Sequence, residues 1–285
     1  MTTTSELNLS SAKPPVFSII IIGDEILSGK RADKHLPKLI ELLGQRGLAL
    51  AHASYVGDDP ALITQTLTRA FASGEVVFSC GGIGATPDDH TRQSAANALG
   101  QELVLHPKAD ALIRERMQDT AREQGTTYEP DRPDNIHRLN MGVFPAQSEI
   151  IPNPYNKIPG FSCAGASGGR VYFVPGFPVM AWPMMEWVLD THYRVFFSQS
   201  SQVERSVIVY GAMEAALTPL MEHIEQQHSA VKVFSLPSVD HPEHGRHIEL
   251  GVKGPTQSVD LAYPALLEGL HQLAVKLGPE LVRER

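Results

Sequence analysis

The chain has 285 residues, of which 42% are hydrophobic and 20% charged, and its formal net charge is −8. This composition is typical of a globular protein with room for one large and one small domain. The acidic balance excludes a basic face for nucleic acid, and the apolar runs are too short to cross a membrane. Cys80 and Cys163 provide no disulfide framework, and residues 1–15 lack the apolar segment of a signal peptide. We therefore expect a cytoplasmic protein with no membrane or nucleic-acid partner and a disordered tail over residues 1–15.

The first part of the chain repeats a strand–helix pattern. Strands are predicted at residues 16–22, 48–56 and 76–79, and an amphipathic helical pattern follows each of them. A continuous β-branched run such as the first is typical of a strand buried on both faces of a parallel sheet. We therefore predict an α/β domain over residues 16–197, with a three-layer, doubly wound, mostly parallel sheet.

Polar residues follow all three strands, where ligands bind in such sheets. The third strand leads into Gly81-Gly82-Ile83-Gly84 and then into Thr-Pro-Asp-Asp. Glycines let the backbone approach a ligand closely, and the start of the next helix offers N–H groups to a phosphate. The alternative is a tight turn with a helix cap, because Thr86 and Asp89 have capping-box spacing; a helix beginning at Thr91 also fits. Cys80, beside this loop, is interpreted as a small buried thiol.

Two later segments are predicted as loops. Residues 128–140 are rich in proline and asparagine and carry a polar cluster, Arg132, Asn135, His137 and Arg138, so they form either a solvated surface loop or part of a site. Residues 153–161 form a second loop, which contains Lys157. Pro175-Gly176-Phe177-Pro178 follows a strand at residues 171–174 and predicts a rigid turn that could wall a pocket.

Residues 203–285 are predicted to form a small α+β domain of βαββα order, after a polar linker from residue 198. Its last helix is predicted over residues 259–277. His241, His244 and His247 lie in the turn between its last two strands. Three histidines could bind a metal, but a polar hairpin tip is the favoured interpretation.

A set of motifs between residues 16 and about 190 is more specific than this general pattern. They are Ile22-Gly23-Asp24-Glu25-Ile26-Leu27-Ser28-Gly29, Val56-Gly57-Asp58-Asp59, the run from Gly81 to Thr91, Pro133-Asp134-Asn135-Ile136-His137-Arg138, Pro159-Gly160-Phe161 and Pro175-Gly176-Phe177-Pro178. In this order they resemble the MoaB/MogA-like molybdopterin-binding fold, and most closely its CinA-type branch (competence/damage-inducible protein A, N-terminal part). The tail resembles the small domain that follows in CinA proteins. The amidase domain of long CinA proteins has no counterpart here, so no deamidase activity is expected.

The resemblance implies a pocket for a small phosphate-bearing molecule, molybdopterin or a nucleotide, in a homo-oligomer. It assigns catalysis to Asp58 and Asp89, which could also hold a divalent cation or orient water. Asp24 and Asp33 are weaker candidates of the same kind. The amides of Gly81, Gly82 and Gly84 could bind one phosphate, and Arg138 or Lys157 the other. The remaining ligand-binding candidates are Ser28, Thr86, Asp88, Thr91, Asn135, Pro175 and Gly176.

Three functions fit these residues. The first is a metal-dependent hydrolase that splits ADP-ribose into AMP and ribose 5-phosphate, an activity that the resemblance implies. The second is a molybdopterin-binding or adenylylating protein of molybdenum-cofactor synthesis. The third is a non-catalytic nucleotide-binding or regulatory module. The CinA-type loop and the tail domain favour the first, and the complete glycine loop with Asp58 and Asp89 argues against the third.

Overall fold

A computed structural model describes residues 14–197 and 202–284. The predicted tail, apart from its last two residues, and most of the predicted linker lie outside the described residues. The described chain divides into two compact units: the first comprises residues 14–44 and 48–197, and the second comprises residues 45–47 and 202–284. No helix of the described part is both long and apolar enough to cross a membrane.

The first unit alternates strands and helices along its N-terminal half. Its strands are β1 (Phe17–Ile22), β2 (Leu50–Val56), β3 (Val76–Cys80), β4 (Leu103–Leu105), β5 (Val143–Pro145), β6 (Glu149–Ile151), β7 (Gly160–Ala164) and β8 (Arg170–Val174). Its helices are α1 (Asp24–Leu27), α2 (His35–Gly44), α3 (Pro60–Ser73), α4 (Thr91–Leu99), α5 (Pro107–Glu123), α6 (Pro133–Arg138) and α7 (Pro178–His192).

The main sheet has the strand order β2-β1-β3-β8-β7-β6. Strands β2, β1, β3 and β8 run parallel, whereas β7 and β6 add an antiparallel edge. The prediction of a mostly parallel sheet with three parallel leading strands is therefore confirmed. Strands β4 and β5 form a separate antiparallel pair.

The core lies on both faces of this sheet, which explains the apolar run of β1. Ile19 and Ile21 belong to one buried cluster with α2 and α7, whereas Ile20 and Ile22 belong to the other with α3, α4 and α5. Because successive side chains of a strand point to opposite faces, both faces of β1 pack against apolar neighbours, and the buried hydroxyl of Ser18 donates to Glu75 Oε2 at 2.7 Å. The result is the predicted three-layer arrangement.

One loop prediction in this unit is wrong in part. Residues 128–140 include the short helix α6, and a 3-10 helix, Leu139–Gly142, continues from it. Pro133 occupies the first helical position, where its missing N–H costs nothing. The high proline and asparagine content concealed this helix because the same residues also favour turns.

The second unit is an antiparallel sheet with two helices. Its elements are β9 (Gln202–Tyr210), α8 (Glu214–Gln227), β10 (Lys232–His241), β11 (Gly245–Pro255), α9 (Thr256–Gln272) and β12 (Lys276–Glu284), and the strand order is β10-β11-β9-β12. The predicted βαββα order lacked β12, and its last helix was too long. Ala274 turns the chain with φ 51° after α9, and a register irregularity between Leu277 and Glu280 interrupts the alternation expected of a strand.

Candidate functional site

The carboxyl ends of the four parallel strands meet at one edge of the sheet, and a glycine lies at or just after each end. The N–H of Gly23 donates to the Val56 carbonyl at 3.0 Å, and that of Gly81 donates to the Val174 carbonyl at 3.0 Å. At Gly57, which follows β2, a Cβ would approach Asp24 Oδ1 to 2.5 Å. The edge is therefore packed closely enough to require residues without side chains.

An open pocket, here called the acidic pocket, lies where β1 and β2 end. It is lined by Asp24, Glu25, Leu27, Ser28, Lys30, Asp58 and Asp88. The Asp24 N–H donates to Asp58 Oδ2 at 2.8 Å, and the Asp58 N–H donates to Asp24 Oδ1 at 3.2 Å. This reciprocal pair fixes both carboxylates while leaving one oxygen of each without a protein donor in the described part of the chain.

The pKa of Asp58 is raised above its ordinary value. Burial is the largest cause, because it disfavours the ionised carboxylate, and the nearby carboxylates of Asp24, Glu25 and Asp88 raise the pKa further. The hydrogen bond from the Asp24 N–H opposes this shift in part. Asp58 thus takes up a proton more readily in the folded protein than an ordinary aspartate does.

The glycine loop, residues 81–90, follows β3. Thr91, the first residue of α4, donates from Oγ1 to the Gly81 carbonyl at 3.0 Å and from its N–H to the Gly82 carbonyl at 3.0 Å. Gly82 has φ 66°, and a Cβ there would overlap the Thr91 hydroxyl. Thr91 is fully buried, and its hydroxyl holds the start of the loop through the bond to Gly81. The helix start at Thr91, one of the two alternatives from the sequence, is confirmed.

Several N–H groups of this loop have no protein partner. Within the described residues, no hydrogen-bond acceptor serves the backbone N–H of Gly82, Ile83, Gly84 or Ala85. The side chain of His90, which precedes α4, makes no capping hydrogen bond. Several unpaired N–H groups in one loop attract an anion, because they offer it several donors at once.

A second cavity, here called the loop pocket, lies beside the glycine loop and has a volume of about 460 Å³. Its lining includes Thr86, Asp89, Arg92, Gln93, His137 and Asn140. Asp89 Oδ2 accepts hydrogen bonds from the Thr86 N–H at 2.8 Å and from Thr86 Oγ1 at 2.5 Å. Its carboxylate is therefore engaged within the loop, and it lines a different pocket from Asp58.

The end of β8 lies beside the glycine loop. A Cβ on Gly176 would be 3.7 Å from the Gly81 Cα, and the Gly176 carbonyl accepts a hydrogen bond from His35 Nε2 at 3.0 Å. Burial lowers the pKa of His35, which favours the neutral imidazole. The structure thus brings Pro175 and Gly176 to the predicted edge.

Four of the candidates that line neither pocket are bonded to other protein groups. Asn135 is buried and donates to the Glu129 carbonyl at 2.7 Å, and Arg138 donates to Asn135 Oδ1 at 3.0 Å. Lys157 pairs with two carboxylates of α5, those of Glu115 at 2.7 Å and Asp119 at 2.5 Å. Asp33 accepts from the N–H of His35 at 2.8 Å at the start of α2 and from the Tyr55 hydroxyl at 2.9 Å.

Comparison with known proteins places residues 18–194 in a family described as "Probable molybdopterin binding domain". The chain belongs to this family. The match covers the whole α/β unit from β1 to the end of α7, including both pockets. The structure of a CinA protein from Thermoplasma acidophilum is similar to this chain at 27% identity, with a TM-score of 0.52 over 62% of this chain and 97% of that one.

Similar sequences include members of different lengths. A protein from Pyrobaculum calidifontis is 29% identical over 89% of this chain and 95% of its own length. A CinA-like protein from Anaeromyxobacter dehalogenans is 33% identical over 72% of this chain but only 48% of its own. The chain spans about half the length of the CinA-like relatives that it matches.

Three side chains that line the pockets were not among the predicted site residues. Glu25 and Lys30 line the acidic pocket, and Arg92, only 4% exposed, lines the loop pocket. The sequence of α4 gave only an indirect indication that Arg92 is buried. The helix contains several small residues, which allow close packing, but they do not reveal which polar residue is buried.

No group of three or more histidine, cysteine, aspartate or glutamate side chains within the described ranges is arranged as a metal site. In the second unit, the rings of His241 and His244 are stacked with centroids 4.9 Å apart, and that of His247 lies 5.3 and 5.6 Å from them. These rings pack against one another at the tip of the β10–β11 hairpin, consistent with the favoured interpretation.

Proposed function

We propose that the first unit binds a small phosphate-bearing ligand of the molybdopterin class at the carboxyl edge of its sheet. One observation carries the proposal: within the described residues, the N–H groups of Gly82, Ile83, Gly84 and Ala85 lack protein acceptors. A phosphate can accept hydrogen bonds from such N–H groups, and close approach is possible because the loop has glycines where side chains would collide.

The acidic pocket supports the same ligand class through a different part of the molecule. A pterin carries N–H donors on its ring, and the free oxygens of Asp24 and Asp58 can accept them. Charge-assisted hydrogen bonds of this kind are stronger than neutral ones. A purely phosphate-binding site would gain nothing from a pocket with this many carboxylates, because like charges repel.

A divalent cation is compatible with the same two carboxylates. Magnesium usually binds through one or two carboxylates together with water and ligand phosphates. Asp24 and Asp58 fit that pattern better than the predicted pair of Asp58 and Asp89, because the latter two line separate pockets. Such an ion would neutralise phosphate charge beside Asp24 and Asp58.

Hydrolysis of ADP-ribose is the finer alternative within this proposal. Asp58, with its raised pKa, could accept a proton from an attacking water if the pyrophosphate lay between the glycine loop and the acidic pocket. The separation of Asp58 and Asp89 into two pockets gives this alternative less support than ligand binding.

The test is a direct titration of the purified chain with molybdopterin, AMP and ADP-ribose, with and without magnesium, together with native mass spectrometry of copurified molecules. We expect molybdopterin to bind most tightly and Asp58→Asn to weaken it. Tighter binding of AMP, or release of AMP from ADP-ribose by the wild type but not by Asp58→Asn, would favour the hydrolase instead.

A further inference from the structure

Four carbonyl groups between Gly81 and Ala85 have hydrogen-bond donors, whereas the N–H groups of Gly82, Ile83, Gly84 and Ala85 lack acceptors in the described part of the chain. Thr91 serves the carbonyls of Gly81 and Gly82, as described above. Arg92 Nη2 donates to the Gly84 carbonyl at 2.7 Å, and His137 Nε2 bonds to the Ala85 carbonyl at 3.0 Å. The donors come from the start of α4 and from α6.

Because the peptide group is planar, a donor that holds a carbonyl also fixes the direction of the N–H of the next residue. In a trans peptide the C=O and the following N–H point in opposite directions, and the described residues contain no cis peptide bond. A donor that holds the Gly84 carbonyl therefore directs the Ala85 N–H away from Arg92. By the same reasoning, Thr91 directs the N–H groups of Gly82 and Ile83.

A connected network holds the two outer donors in place. Arg92 Nη1 donates to the Asn140 carbonyl, and Asn140 Nδ2 lies 3.3 Å from His137 Nδ1. The side-chain amide of Asn140 is a donor at Nδ2, so His137 Nδ1 must accept and the ring proton is placed on Nε2. That proton is the one donated to the Ala85 carbonyl.

We infer that Arg92 and His137 are positioning residues that orient the glycine loop for a phosphate. Arg92 holds the Gly84 carbonyl toward α4, which leaves the Ala85 N–H directed to the opposite side of the loop, where the anion binds, and His137 holds the Ala85 carbonyl toward α6. The Thr86 N–H that follows Ala85 is directed to Asp89, which anchors the end of the loop. This inference rests on the proposed function, because it assigns the oriented N–H groups to the ligand's phosphate.

The test uses two substitutions of His137, which is exposed and can be changed without opening the core. His137→Gln keeps an N–H donor, whereas His137→Met removes it while keeping a side chain of similar length. Arg132→Gln, beside the same short helix but paired with Asp134, is the control. The probe is inorganic phosphate, read from the backbone amide resonances of Gly82, Ile83 and Ala85 in the full chain.

Wild type, His137→Gln and Arg132→Gln should bind phosphate alike, whereas His137→Met should bind roughly threefold to tenfold more weakly with an unchanged melting temperature. Arg92→Lys replaces the two donor nitrogens Nη1 and Nη2 by a single one on a different side-chain geometry, and it should show at least as large a loss. Equal affinity of His137→Met and wild type would overturn the inference.

The unliganded spectra separate this inference from the proposed function. If the wild type binds no phosphate, the proposed function fails, but the Ala85 and Thr86 resonances still report the loop. The orienting role would then be supported if the Ala85 and Thr86 resonances shift in His137→Met but keep their wild-type positions in His137→Gln. Unchanged resonances in both variants would contradict it.

Discussion

Asp88 and Asp89 are adjacent in the chain, but Asp88 lines the acidic pocket and Asp89 lines the loop pocket. The chain therefore divides two neighbouring carboxylates between two environments. Asp88 adds negative charge beside Asp58, whereas Asp89 accepts two hydrogen bonds from Thr86. The effects of substituting them should be separable.

Asp89→Asn should lower the free energy of unfolding by about 1 kcal/mol or less, because the amide oxygen can still accept from Thr86. Urea unfolding measures this loss, and phosphate titration should show little change in affinity. Asp88→Asn, at the neighbouring position that lines the other pocket, is the paired control. A collapse of ADP-ribose turnover in Asp89→Asn without loss of stability would instead assign Asp89 to the reaction.

Asp58 should make stability depend on pH in a defined direction. Its pKa in the folded protein is raised from 3.8, so the folded state holds the proton more tightly than the unfolded chain. The resulting stabilisation is fully present below pH 3.8 and is lost as the pH rises through the raised pKa. Asp58→Asn cannot ionise and should lack this loss. Urea unfolding over a pH series tests the difference, and parallel profiles for the two proteins would contradict it.

Gly82→Ala should destabilise the first unit by roughly 2–5 kcal/mol, the sum of left-handed backbone strain and overpacking. The overpacking arises because the new Cβ meets the buried Thr91 hydroxyl. Gly100→Ala is a matched control: Gly100 also has a positive φ, 63°, but a methyl group there would meet no described atom within 4 Å beyond its chain neighbours. It should cost about 1–2 kcal/mol. Equal losses in thermal or urea unfolding would show that the contact with Thr91 is unimportant.

Lys30 and Lys157 should differ in their effect on phosphate binding, although both side chains are cationic. Lys30 lines the acidic pocket, whereas Lys157 is paired with Glu115 and Asp119. Lys30→Gln should weaken phosphate binding most strongly at low salt, because at high salt the ions already screen the attraction between the Lys30 ammonium and phosphate. Lys157→Gln should leave the affinity and the melting temperature near those of the wild type. The reverse order in a titration would restore Lys157 to the site.

Neither cysteine should react with a thiol reagent in the native protein. Both are buried, and burial raises the pKa of Cys80 well above its usual range and that of Cys163 to about 11. The thiolate is the reactive form, so both should label only after unfolding. Fast native labelling of Cys80→Ser but not of Cys163→Ser would identify Cys163 as accessible, and the opposite result would identify Cys80.

The sequence was sufficient to predict the parallel sheet and the glycines at its carboxyl edge, because both depend on local patterns. The apolar run of β1 and the glycines after β3 determine strand burial and close approach through residues near in sequence. The partition of Asp58 and Asp89 could not be predicted in this way. It depends on where the glycine loop turns, and the contacts of Thr86 and Thr91 determine that turn.

Pairings between distant segments were also hidden. Lys157 has the composition of a phosphate contact, but α5, which lies far before it in sequence, supplies carboxylates that bind it. Strand β12 was concealed because an irregular register breaks its alternation. A single sequence gives no measure of such long-range contacts, and local propensity alone favoured a longer helix there.

The position of β8 next to β3 affects the order in which the site can assemble. Residues 76–80 pair with residues 170–174, so a segment of about ninety residues must close into a loop before the Gly81 N–H can donate to the Val174 carbonyl. Closing so long a segment is entropically costly and slows folding. We therefore expect β1, β2 and β3 to associate before β8 docks. The Gly81 N–H would then gain its acceptor, the Val174 carbonyl, only in this late step.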